Sequence, residues 1–254
     1  MTPNPTTATA ATNAADEGGQ TAAAVGPDGV IDLTDVTTDE ALRPGTHYRT
    51  ELFSRIDLVP DDGLVVDVGG RDGRLLGALG IGNGLVVDTE VAAREGGVAY
   101  VGGSGLDLPL VTGCADTVIS LDVVEHVPDD AAFVAELMRV VKPGGRVVLT
   151  TPNVNIRVLP GRLQNRIDRM WGHDRVRGYS PATLRELFTA AGATEVEITP
   201  VAMGWYRRLY VPLRLLWSVP GGLGRRLVSL IARRDAAAFE GEHGFCLVVA
   251  RREA

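Results

Sequence analysis

The chain has 254 residues, a formal net charge of −7 and an apolar share of 45%. That length holds one domain with additions, the apolar share is enough for a sizeable core, and the acidic balance argues against non-specific nucleic-acid binding. Two cysteines, Cys114 and Cys246, lie far apart and outside any CxxC pattern, so neither a disulfide framework nor a zinc site is expected. Both read as small buried hydrophobes.

The first 29 residues are rich in Thr and Ala, with no long apolar run and no basic residue before Arg43. Such a stretch is neither a secretory signal nor a transit peptide, and it cannot bury enough surface to offset its ordering entropy. A disordered tail over 1–29 is therefore expected, followed by a helical lead or cap over 30–62. No apolar run approaches the roughly 18–20 residues of a spanning helix, so a soluble, cytoplasmic protein is expected.

From residue 63 onward short apolar runs alternate with helix-like segments. "LVVDV" (64–68), "LVVD" (85–88), "VAYV" (98–101), "TVISLD" (117–122) and "RVVLTTP" (146–152) read as buried strands. "RLLGALG" (74–80) reads as a short helix. "DDAAFVAELMRVV" (129–141) reads as a longer one, with Phe133, Val134, Leu137, Met138 and Val141 at helical spacing and "KPGG" as its stop. The runs are apolar on both faces and separated by helices or long connections, which predicts an α/β domain with a parallel sheet covered on both sides.

Beyond residue 153 the pattern changes. The polar, Arg-rich segment 153–180 is too long for a plain connection and reads as a substrate cap. "SPATLRELFTAAG" predicts a helix with Ser180 as N-cap, Pro181 at the first helical position and Gly192 past the end. "TEVEITP" (194–200) and "FCLVVAR" (245–251) read as strands. Between them lies an insertion over 201–240, whose stretch 203–234 carries seven arginines and no acid. Apolar residues recur there at near-helical spacing. A helical cap packing its apolar face on the domain competes with a surface that contacts an anionic membrane peripherally.

The chemistry-bearing motifs lie in the first half. In "VVDVGGRDG" (65–73) the glycines are Gly69, Gly70 and Gly73, so the GxGxxG spacing of a dinucleotide loop fails and a nicotinamide oxidoreductase is disfavoured. The pattern is instead an acid, Asp67, followed by Gly69 and Gly73. Asp88 ends the next strand, where a carboxylate can accept both ribose hydroxyls of a nucleoside lying across the strand ends. "GGSGLDLPL" (102–110), "ADTVISLDVVEHVPDD" (115–130) and "ELMRVVKPGGRVVLTTPN" (136–153) follow.

With these stretches in hand, the run from about 63 to 153 resembles the class I S-adenosylmethionine-dependent methyltransferases of the type 11 group, which includes ubiquinone-pathway O-methyltransferases. The resemblance covers little more than a third of the chain. It implies a Rossmann-like sheet of seven mostly parallel strands, with the last antiparallel, helices on both faces, and S-adenosyl-L-methionine bound at the strand C-termini. It further implies that Asp67, Gly69, Gly70 and Gly73 form the loop around the methionine part and that Asp88 takes the ribose hydroxyls. Ser104, Leu106 and Leu108 would lie by the adenine, and Asp122 near the sulfonium. Two positions depart from the family pattern: Arg71 stands for the middle glycine of DxGxGxG, and Ser104 stands for an Asp.

Transfer from a sulfonium needs chiefly proximity and orientation, and a hydroxyl acceptor also needs a base. Glu125 and His126 face the substrate side in this reading, and His173 lies in the cap; these three are the catalytic candidates. For His126 a bracing role in its loop stays open beside catalysis. No further ligands stand at metal-site spacing, so no metal is expected. The expected activity is methyl transfer, at oxygen, to a small or amphiphilic acceptor such as a glycan, glycolipid, quinol or secondary metabolite. The alternative is a non-catalytic protein of the same fold that docks to a membrane or partner through its basic C-terminal segment.

Overall fold

The computed structural model describes residues 24–25, 31–32, 44–53, 63–90, 98–156, 178–217, 222–236 and 244–254. The chain divides into two units, Met1–Thr38 and Asp39–Ala254. In the first, Ala24–Val25 pairs antiparallel with Ile31–Asp32. Most of the expected tail lies outside the described residues.

The second unit is built on seven strands: β1 (Val65–Val68), β2 (Gly84–Asp88), β3 (Ala99–Gly102), β4 (Ala115–Leu121), β5 (Val141–Pro152), β6 (Ala193–Val201) and β7 (Phe245–Arg252). Their order is β3-β2-β1-β4-β5-β7-β6, and β7 runs antiparallel to both neighbours while the remaining pairs are parallel. Among the described residues, six helices accompany them: α1 (Pro44–Phe53), α2 (Arg74–Ala78), α3 (Asp130–Val140), α4 (Pro181–Ala190), α5 (Gly204–Trp217) and α6 (Leu223–Ala236). The expected α/β class, the seven mostly parallel strands and the C-terminal helical insertion are all present.

Strand alternation divides the core in two. Val66 and Val68 of β1, Val147 and Leu149 of β5, and Val248 of β7 pack with Phe133, Leu137 and Phe188 of α3 and α4. Val65, Val148 and Leu247 point to the other face, where Tyr48 and Leu52 of α1, Leu213 of α5 and Val228 of α6 meet them. Successive side chains leave a strand on opposite sides, so strands apolar at every position need cover on both.

Helix ends follow local chemistry. The Asp129 side chain accepts from Ala132 N at 2.9 Å to cap α3, and Ser180 accepts from Thr183 N at 3.1 Å to cap α4. α3 stops at Val140, one residue earlier than the spacing suggested, and Val141 opens β5 instead. Pro143 excludes the helical region for Lys142, so the backbone must turn extended beforehand. β5 therefore includes "KPGG", and Lys142 Nζ reaches both Asp116 oxygens at 2.8 and 2.9 Å, tying the start of β5 to the start of β4.

The insertion is held by one buried carboxylate. Asp235 of α6 accepts from Tyr48 Oη of α1 at 2.8 Å, and from Trp205 N and Tyr206 N at the start of α5 at 3.0 and 3.1 Å. Those amides have no intrahelical acceptor, so Asp235 caps α5 from another helix. Tyr48 stacks on Tyr206 with ring centroids 4.3 Å apart. Replacing Asp235 by Ala strands two buried donors and a partly buried one, and a loss of about 3 kcal/mol is expected in urea denaturation. A loss under about 1 kcal/mol would show that the carboxylate does not hold the three helices.

Candidate functional site

The C-terminal ends of β1, β2, β4 and β5 lie side by side, and the strand order reverses at β1: the chain goes outward to β2 and β3, then crosses back to β4. In open α/β sheets such a switch point leaves a crevice that can take a ligand.

All four residues of β1 are buried, so Asp67 is carried into the interior at 2% exposure. It stands level with Val86 of β2 and Ile119 of β4. Its Oδ2 finds no hydrogen-bond partner among the described residues. Burial first, then the nearby charges of Asp72 and Asp88, pushes this carboxyl up to about 7.

The loop 69–73 wraps over Asp67. A Cβ on Gly70 would collide with the Asp67 carboxylate and one on Gly69 with Val123 of the β4 loop, so the chain's own packing requires glycine at both. Arg71 has a φ of +47°, the left-handed region that favours glycine. Its side chain is exposed, and its backbone N–H donates to Asp88 Oδ2 at 3.0 Å. The departure from the family pattern thus places a bulky side chain outward, while the backbone keeps a glycine-like bend. Gly73 N–H closes the turn on Gly70 O at 3.0 Å, and Tyr100 Oη holds Asp72 O at 2.9 Å.

Asp88 ends β2. Its Oδ1 accepts from Glu90 N at 2.9 Å, so each oxygen carries one backbone donor. The Thr89 hydroxyl also reaches Oδ1, at a long 3.5 Å. A carboxylate offers about four lone-pair positions, so two hydroxyl donors fit once that weak contact gives way. Gly103 N–H donates to Asp88 O at 3.0 Å, bringing the next turn alongside. In that turn Ser104 is exposed and its Oγ accepts from Leu106 N at 3.2 Å. Leu106 is half-buried against the core, whereas Leu108 lies within it.

Asp122 follows β4 with a φ of +54°. Thr150 of β5 donates its hydroxyl to Asp122 Oδ1 at 2.9 Å, and Arg49 of α1 forms an ion pair with Oδ2. Glu125 is 1% exposed and accepts from Thr151 Oγ1 at 3.0 Å, while its Oε1 has no partner among the described residues. Burial, and next the charge of Asp122, pushes Glu125 up to about 8. His126 is exposed in the same turn, where its N–H donates to Val123 O at 2.9 Å.

The strand ends therefore gather Asp67, Gly69, Gly70, Gly73, Asp88, Ser104, Leu106, Asp122, Glu125 and His126 along one edge. His173 lies outside the described residues, as does most of segment 153–180. Sequence reasoning missed Arg49, Thr150 and Thr151. The two threonines stood in the quoted "TTPN" run, and their place at the C-terminal end of a strand was a usable signal. Arg49 had none, since it is 73 residues upstream of Asp122 and reaches it only through the packing of α1.

The residues present fit S-adenosylmethionine: an acid at the end of β2 with spare acceptor capacity, an orphaned carboxylate oxygen under a close-packed loop, and acids beside the β4 turn. The comparisons agree with that fit. The family model described as "Methyltransferase domain" matches residues 67–149. A protein of Mycolicibacterium smegmatis, named as a probable S-adenosylmethionine-dependent methyltransferase, is 33% identical over 190 residues, covering 68% of this chain and 70% of its own. A ubiquinone biosynthesis O-methyltransferase of Thiobacillus denitrificans is 29% identical over 164 residues, covering 58% and 71%. Among solved structures, a SAM-dependent methyltransferase from Thermotoga maritima superposes with a TM-score of 0.57 at 19% identity, over 83% of this chain and 91% of that one, a likeness of fold.

Two raised carboxyls have a consequence for stability. A group whose folded pKa exceeds its unfolded value binds more protons in the native state, so stability falls as pH rises from the unfolded value through the folded one. For Asp67 that window runs from the ordinary range near 3.8 to about 7, and for Glu125 from 4.5 to about 8. Thermal melts of the ligand-free protein are expected to weaken from pH 5 to 8. Glu125→Gln should flatten that slope and gain most at pH 8, whereas an unchanged slope would mean that Glu125 is charged throughout.

Proposed function

The chain belongs to the class I S-adenosylmethionine-dependent methyltransferases, and from that premise we propose that it methylates a hydroxyl oxygen of an amphiphilic acceptor. It is an enzyme that uses S-adenosyl-L-methionine and acts on a small or lipophilic acceptor. The finer reading, oxygen and a quinol-like acceptor, is supported by the relation to the ubiquinone biosynthesis O-methyltransferase. The observation that carries the assignment of the site is Asp88, whose two oxygens are oriented by backbone donors yet keep room for ribose hydroxyls.

The bound cofactor supplies an already activated methyl group, so the chain's residues bind, orient and move a proton. Asp88 fixes the nucleoside end through its free lone pairs. The loop over Asp67 brings backbone close to the amino-acid end. Asp122, held by Thr150 and Arg49, would be the carboxylate nearest the sulfonium end of the cofactor. His126 takes the acceptor's hydroxyl proton at a ring nitrogen, since it is exposed at the mouth while Glu125 is buried and proton-bearing at neutral pH.

Calorimetry with S-adenosylhomocysteine is expected to give one site, and Asp88→Ala is expected to weaken it about a hundredfold, as the loss of two charge-assisted hydrogen bonds implies. A change under threefold would remove Asp88 from the cofactor site. In turnover of hydroxylated quinols with labelled methyl donor, His126→Ala should lower kcat about a hundredfold or more and leave S-adenosylhomocysteine affinity intact. Preferred turnover of amine analogues would overturn the assignment to oxygen.

A further inference from the structure

α5 and α6 each spend one face on the domain. Tyr206 and Leu213 of α5, and Val228, Ile231 and Ala232 of α6, are buried. The opposite face of a domain-capping helix is ordinarily polar. Here it carries large apolar side chains instead: Trp205 is 41% exposed, Leu215 72% and Leu230 61%. Leu209, Val211 and Leu223 are exposed beside them.

The two outer faces are continuous. The Trp205 ring of α5 is approached by Arg208 of the same helix at 5.7 Å and by Arg234 of α6 at 5.2 Å, so residues of both helices meet on one indole. Arg225, Arg226 and Arg233 are exposed on α6. The only acid in either helix is Asp235, which is buried and committed to Tyr48 and the start of α5. Stretch 203–234 contributes +7, which leaves −14 for the rest of a chain whose net charge is −7.

We propose that the joined outer faces of α5 and α6 dock on an anionic lipid bilayer, with the arginines at headgroup level and Trp205, Leu215 and Leu230 in the interface. The chemistry selects a bilayer over other polyanions. A nucleic acid would reward the arginines and leave four exposed leucines in water, whereas a bilayer surface rewards both classes together. Trp favours that depth, and arginine can lay its stem on apolar surface while its charge stays in the headgroup layer. No helix among the described residues is long and apolar enough to cross a membrane, so the contact is with the surface. The proposal does not depend on the methyl acceptor, because none of these residues lies at the strand ends.

The test is co-sedimentation of the full chain with phosphatidylglycerol/phosphatidylcholine vesicles and with phosphatidylcholine vesicles alone. S-adenosylhomocysteine binding is measured in parallel, so that failure of the cofactor site is seen separately. The wild type is expected to sediment with the anionic vesicles only, and less so as salt rises. Arg226→Gln and Arg233→Gln should each reduce partitioning about fivefold. Leu215→Glu with Leu230→Glu should abolish it without changing S-adenosylhomocysteine affinity. Two results would overturn the proposal. One is no sedimentation of the wild type on anionic vesicles, including the case of a soluble dimer that the double glutamate variant splits. The other is equal sedimentation of wild type and double variant.

Discussion

A carboxylate out of water is the constraint from which the site is built. Asp67 sits in a strand with a neighbouring strand on each side, so its position is set by the sheet. The chain that follows must pass directly over it, which only a residue without a Cβ can do at 70, while Val123 of the β4 loop excludes a Cβ at 69. That tight passage forces left-handed backbone at Gly69, Arg71 and Gly73, and it aims the Arg71 N–H at Asp88. The acid of β1 thereby determines how the acid of β2 is oriented, although the two side chains share no hydrogen bond. Burial without a partner raises the free energy of the charged form, and the raised pKa of Asp67 expresses that cost.

A second acidic group forms on the other side of β1, and it depends on an element outside the sheet. Asp122 and Glu125 follow β4, Thr150 and Thr151 come from β5, and Arg49 comes from α1. Asp122 obtains a cation and a hydroxyl, whereas Glu125, with the Thr151 hydroxyl and a backbone hydrogen bond, is pushed toward its neutral form by burial and by the charge of Asp122. α1 is in turn held by Asp235 of α6 through Tyr48, so the insertion that carries the outward apolar face also positions Arg49.

Much of this was legible in the chain. Continuous apolar runs such as "LVVDV" and "RVVLTTP" require a doubly covered strand, and Asp129 and Ser180 cap the helices that follow them, so strand and helix positions could be read locally. The acids at strand ends were visible for the same reason, because a strand's last residue is known once its apolar run is known. Arg71 could be recognised as a departure but not interpreted. Its backbone turns left-handed and its side chain is exposed, which only the folded loop shows.

Sequence alone determined the alternation of strands and helices, the acids that close β1, β2 and β4, and the basic character of the insertion, since each depends on residues within about a dozen positions of one another. Only the tertiary structure decided that Arg49 pairs with Asp122, that Asp235 caps a helix thirty residues before it, and that Trp205 joins the outer faces of two helices. These are contacts between distant segments, and their geometry follows from how helices pack on a sheet, which no local pattern of residues encodes.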